Sequence, residues 1–121
     1  MPGAGHLVLC IDDESVGLQV RRLLLERSGY RVIVAHDGEA GLRIFREQPV
    51  DAVVLDYAMP GMLGGEVAAK MRAEKPGVPI LLLSAYVGLP ADVTRVVDVY
   101  MTKGEGAPAL LDKLDSLFAV K

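Results

Sequence analysis

Five short apolar runs punctuate the chain, and between them the apolar residues spread out to helical spacing. The first run is Leu7–Ile11, which stops at Asp12-Asp13-Glu14. A helix follows, with Val16, Val20, Leu23 and Leu24 as its apolar stripe, Arg21, Arg22 and Glu26 on the other side, and Gly29 ending it. Arg31–Ala35 reads as a second strand whose polar alternation suits a sheet edge. Asp37 caps a short helix carrying Ala40, Ile44 and Phe45, which Pro49 closes. Val53-Val54-Leu55 is a strand apolar on both faces, yet it ends in Asp56, ahead of Tyr57-Ala58-Met59-Pro60-Gly61. A loop through Gly64-Gly65 leads to a helix carrying Val67, Ala68 and Met71, broken at Pro76-Gly77. Ile80–Leu83 is the fourth strand and terminates in Ser84-Ala85.

The segment from Tyr86 to Val97 is poor in helix formers, so only a short helix from about Pro90 to Val97 is predicted. Such an element is weakly held, and a movement of Ser84 just before it is expected to shift it so that Val87, Leu89 and Val93 offer a small apolar patch. Val99–Thr102 is the fifth strand and ends at Lys103-Gly104. From Pro108 a final helix presents Leu110, Leu111, Leu114, Leu117 and Phe118 on one face. Five alternations of strand and helix, with no repeat or linker, predict an α/β fold: a parallel sheet covered on both faces.

Composition narrows the function classes. The 121 residues are 51% hydrophobic and suit one domain, residues 1–121, with no output domain. A net charge of −3 without a Lys/Arg stripe argues against a nucleic-acid module. No apolar run approaches the roughly 20 residues of a membrane span, and the first six residues do not read as a signal peptide, so a cytoplasmic protein is expected. The single cysteine, Cys10, lies inside the first strand and reads as a buried, inert thiol. His6 and His36 lack ligand spacing and read as solvent-facing or locally bonded, and Met59, Met62 and Met71 read as packing.

The chemistry gathers where the strands end. Asp12 and Asp13 end the first strand, Asp56 the third, Ser84 the fourth and Lys103 the fifth. Ligands of open parallel sheets bind beyond the carboxyl ends of the strands, so these side chains are expected on one rim. Two carboxylates, Asp13 and Asp56, suit Mg²⁺, which takes one or two carboxylates together with waters and phosphate oxygens. The ion and the Lys103 ammonium would offset the charge that keeps a carboxylate from attacking a phosphoryl group.

Asp12-Asp13, Asp56 with Met59-Pro60-Gly61, Ser84-Ala85, Tyr100 and Lys103, in this order, resemble the receiver (response regulator) domain family over nearly the whole chain. The resemblance implies a flavodoxin-like three-layer sandwich with strand order 2-1-3-4-5 and about five helices, the fourth short or irregular. It implies two-component signalling in which Asp56 accepts a phosphoryl group from a histidine kinase or a histidine phosphotransfer protein. Mg²⁺ would be held by Asp13, Asp56 and the Ala58 carbonyl, with Asp12 acting largely through water. Ser84, Ala85, Tyr100 and Lys103 would read out the phosphoryl group, and the chain would be a switch for a downstream protein partner rather than an enzyme, assisting only its own phosphoryl transfer and hydrolysis.

Two departures stand out. Gly104 follows Lys103 where the family mostly has a cis proline, so a trans peptide is expected. The stretch between Ser84 and Lys103 is short by about one helical turn. The alternatives are a receiver-like adaptor independent of phosphorylation, an aspartyl-phosphate phosphatase or mutase, and a flavodoxin. The phosphatase reading lacks a second Asp two residues after the nucleophile, where Ala58 stands, and the flavodoxin reading lacks a Gly-rich phosphate loop after the first strand.

Overall fold

A computed structural model describes residues 5–119. Its five strands are β1 (Leu7–Ile11), β2 (Arg31–Ala35), β3 (Ala52–Asp56), β4 (Ile80–Ser84) and β5 (Val99–Thr102), all parallel and ordered β2-β1-β3-β4-β5. The helices are α1 (Ser15–Arg27), α2 (Gly38–Glu47), α3 (Gly64–Glu74), α4 (Ala91–Thr94) and α5 (Ala107–Ala119), and a 3₁₀ turn covers Lys103–Glu105. The alternation predicts the covered parallel sheet, and the order is the flavodoxin-like one that the resemblance implies. The Lys103-Gly104 peptide is trans, as expected from the missing proline.

Side chains of a strand alternate between faces, and here the alternation sorts the core into two. Leu7, Leu9, Ile11, Val53, Leu55, Ile80 and Leu82 pack with Leu42 and Phe45 of α2, Val67 and Met71 of α3 and Val93 of α4. Val8, Cys10, Val54, Leu81, Leu83 and Met101 pack with Leu18 and Leu25 of α1 and Leu110 and Leu114 of α5. The same parity carries past the strand ends. Asp12 follows Cys10 by two residues, Asp56 follows Val54 and Lys103 follows Met101, which predisposes all three to the α1–α5 side of the rim.

The expected stripe on α1 is corrected except at Leu24, which packs on the core. Val16, Val20 and Leu23 lie on the outer surface, Val16 at 72% exposure, while Leu18 and Leu25 are buried. Both series have helical spacing, so periodicity alone could not choose between them. Two polar contacts favour the observed rotation. Glu14 caps the helix, its carboxylate accepting the Val16 and Gly17 N–H groups at 3.0 and 2.7 Å. Arg21, expected on the outer side, turns inward to Asp12. At the far end Ser28 and Gly29 close the helix, Gly29 with φ of 96°.

The fourth helix is a single turn and stops sooner than Val97. Arg72 of α3 takes the carbonyl of Val96 at 3.3 Å, together with those of Pro76 and Val78, and its guanidinium pairs with Asp98 at 2.5 Å. The chain after Thr94 is thus held against α3 instead of continuing the helix. The apolar residues of this segment differ in exposure. Val87 is exposed, but Val93 is buried against Gly65, where a Cβ would come within 2.9 Å of its Cγ2, and Leu89 packs on the core. Just before β1, His6 stacks on Phe118 with ring centroids 4.0 Å apart, so it is locally held.

Candidate functional site

Asp56 ends β3 at 4% exposure, and the chain leaves it through a loop that must clear the rim quickly. Gly61, with φ of 84°, makes the turn, and Gly64 closes it by donating its N–H to the Tyr57 carbonyl at 2.7 Å. A Cβ on Gly64 would stand 2.6 Å from the backbone oxygen of Asp56, so only glycine lets α3 begin this close to the acceptor. Asp12 is 1% exposed, Asp13 is exposed, and carboxylate oxygens of Asp12, Asp13 and Asp56 come within 4.8 Å of one another. Lys103, delivered by β5, places Nζ 3.0 Å from Asp56 Oδ1 and 3.2 Å from Asp12 Oδ2.

Asp12 is the most fully engaged of the three acids. Its Oδ1 accepts the Glu14 N–H at 2.9 Å and its Oδ2 takes Arg21 Nη1 at 3.2 Å as well as Lys103. Burial pushes its pKa up, but the Glu14 N–H, Lys103 and Arg21 outweigh burial and hold it below the usual carboxylate value. Asp56 goes the other way. Burial, helped by the Asp12 carboxylate and opposed by Lys103, lifts it to about 6. Burial works against the Lys103 ammonium, yet Asp56 and Asp12 together raise its pKa.

Residues 8–114 match the family model of the response regulator receiver domain. The chain belongs to this family. It is 38% identical over 99 residues to the probable transcriptional regulatory protein TcrX of Mycobacterium tuberculosis, covering 79% of this chain and 42% of TcrX. The chain spans less than half the length of that relative. Its backbone resembles the response regulator TrrA of Thermotoga maritima in complex with Mg²⁺-BeF, with TM-score 0.88, 33% identity and coverage of 93% and 98% of the two chains. It is also similar to TrrA in the complex with the histidine kinase ThkA, with TM-score 0.85, 33% identity and coverage of 93% and 97%.

The receiver rim brings together Asp12, Asp13, Asp56 and Lys103. Ser84 is buried at the end of β4, where its Oγ accepts the Tyr86 N–H at 2.9 Å, and Ala85 beyond it is exposed. Tyr100, opposite Leu82 in the ladder, points outward at 54% exposure. Ala58 is exposed in the loop after β3. Arg21 is the charged neighbour of the site that sequence reasoning missed. The signal was the spacing of Leu18, Arg21 and Leu25, three residues of one helical face at i, i+3 and i+7. The carboxylates also fit the chemistry of a hard cation: oxygen donors, one of them open to solvent. Among the described residues no helix is long and apolar enough to cross a membrane.

Proposed function

We propose that this receiver accepts a phosphoryl group on Asp56 from a phosphohistidine of a histidine kinase or histidine phosphotransfer protein. The observation that carries the reading is the buried Asp56 carboxylate, 3.0 Å from the Lys103 ammonium and inside the three-acid cluster. An Asp56 oxygen attacks phosphorus, the P–N bond breaks, and the imidazole leaves with the electron pair. Asp13, Asp56 and the Ala58 carbonyl would hold Mg²⁺, with Asp12 reaching it largely through water. When bound, Mg²⁺ supplies positive charge at the phosphoryl oxygens. Lys103 offsets the remaining charge and passes from the carboxylates to a phosphoryl oxygen.

In the readout the Ser84 hydroxyl gives up the Tyr86 N–H to donate to the phosphoryl group, which shifts Ala85 and Tyr86 and lets the Tyr100 ring turn inward. The donor protein approaches over the rim, from which the exposed Val16, Val20 and Leu23 run along α1 and offer it an apolar surface. The TrrA complexes with Mg²⁺-BeF and with a histidine kinase support the metal and the partner. The reading takes residues 1–121 as a single receiver domain that acts in the cytoplasm as a switch for a protein partner, without direct nucleic-acid contact and with no catalysis beyond its own transfer and hydrolysis.

Intact-mass measurement with acetyl phosphate and Mg²⁺ tests it. One phosphoryl increment, absent without metal and absent in Asp56→Asn, is the expected result. Acid-stable labelling that persists in Asp56→Asn overturns it. A phosphorylation-independent adaptor is the second reading, favoured by the one-turn α4, and no increment under any condition would support it.

A further inference from the structure

Asp12 and Asp13 are adjacent carboxylates with unequal freedom. Asp13 is exposed, whereas both oxygens of Asp12 already serve protein donors: the Glu14 N–H on one, and Arg21 and Lys103 on the other. The two cations also differ. Lys103 shares its ammonium with Asp56 and carries it on a flexible stem. Arg21 holds a permanent charge on a side chain that is 12% exposed, and it lines a cavity of about 240 Å³ together with Val20 and Leu24 of α1 and Met101 and Leu110 across from it. Its guanidinium is therefore a fixed charge beside the acid cluster. Three ionised carboxylates against two cations leave one net negative charge for an arriving divalent ion.

We infer that Arg21 is a positioning residue that commits Asp12 to the protein and holds down the metal affinity, leaving Asp13 and Asp56 as the carboxylates that meet the ion. The inference rests on the Mg²⁺ reading above. Without the guanidinium the cluster carries two net negative charges, and Asp12 Oδ2 has a lone pair to spare. Asp12 would still keep Lys103 and the Glu14 N–H, so no buried carboxylate is orphaned. Arg21→Met preserves the stem along the apolar cavity and removes the charge, Arg21→Gln is a second neutral variant, and Arg21→Lys keeps the charge.

The test is the Mg²⁺ dissociation constant from ¹H–¹⁵N NMR shifts at constant ionic strength, on the whole chain and these three variants. Removing one nearby charge from a divalent site is expected to tighten binding about five- to tenfold in Arg21→Met, and in Arg21→Gln should Arg21→Met not fold, with Arg21→Lys within about twofold of the parent. Unchanged or weaker binding in the neutral variants overturns the inference and leaves the metal reading standing. Equal tightening in Arg21→Lys also overturns it, because geometry rather than charge would then be responsible. A parent whose shifts do not depend on Asp13 and Asp56 overturns both.

Discussion

Asp51 and Asp98 stand at the amino ends of the strands, Asp12 and Asp56 at the carboxyl ends, and the four carboxylates of one sheet are held in opposite circumstances. Asp51 Oδ2 accepts the Leu7 N–H at 2.7 Å while its own N–H donates to the Leu7 carbonyl. Asp98 repeats the pattern with Ile80, at 2.7 Å, and adds the Arg72 guanidinium. Each lengthens the ladder by one rung, with an uncharged backbone donor in front of it and solvent close by. At the other end Asp12 and Asp56 face each other, with one shared ammonium between them. Carboxylates that accept from the backbone hold the fold together. Asp12 escapes the crowding at the rim through the Glu14 N–H, Lys103 and Arg21, whereas buried Asp56 carries a cost that a cation or a phosphoryl group can relieve.

This contrast predicts opposite signs for similar substitutions. The largest effect is functional: Asp56→Asn should lose all acid-labile phosphoryl incorporation, whereas Asp51→Ala and Asp98→Ala should label like the parent wherever they remain folded, as read by intact mass. Next, Asp98→Ala should cost about 2–3 kcal/mol in urea unfolding, since it orphans the Ile80 N–H and frees Arg72. A loss below about 0.5 kcal/mol would mean that water replaces the carboxylate freely.

Asp56→Asn should instead stabilise the metal-free protein, by about 2 kcal/mol at neutral pH. The sign follows from the raised pKa of about 6 against 3.8 unfolded. Near pH 4 and below, Asp56 is mostly protonated in the folded state and the gain should vanish. As pH rises from about 4 to 6 the unfolded state ionises this group while the folded state keeps its proton, so parent stability falls and the advantage of Asn grows, levelling off above pH 6 where both states are ionised. Urea midpoints of both proteins from pH 4 to 7.5, in chelator, check this, and a pH-independent difference would break the comparison. The smallest effect belongs to Asp51→Ala, about 1 kcal/mol of destabilisation, because Leu7 is 6% exposed where Ile80 is fully buried and Asp51 holds no guanidinium like that of Arg72.

Much of this was readable along the chain. Runs of apolar residues ending in Asp12, Asp56, Ser84 and Lys103 marked the strands and their chemical ends together, because a buried parallel strand tolerates a charge only where it leaves the sheet. The short α4 was legible as well, since Val93, Thr94, Val96 and Val97 are weak helix formers. Harder to read was anything that depended on rotation about a helix axis. In α1 two apolar series fit the same period, and of the four residues expected to face inward Val16, Val20 and Leu23 are exposed while Leu24 packs on the core.

By itself the sequence determined the alternation of strand and helix, the side of the rim on which Asp12, Asp56 and Lys103 fall, and the residue types able to handle a phosphoryl group, because each depends on local period and side-chain chemistry. Tertiary structure decided that Arg21 reaches Asp12, that Gly64 lets α3 begin against Asp56, and that Arg72 holds the end of α4 through Val96 and Asp98. The reason is physical: these contacts join elements brought together only when the sheet forms, and their partners' positions are set by packing across the sheet rather than by spacing along the chain.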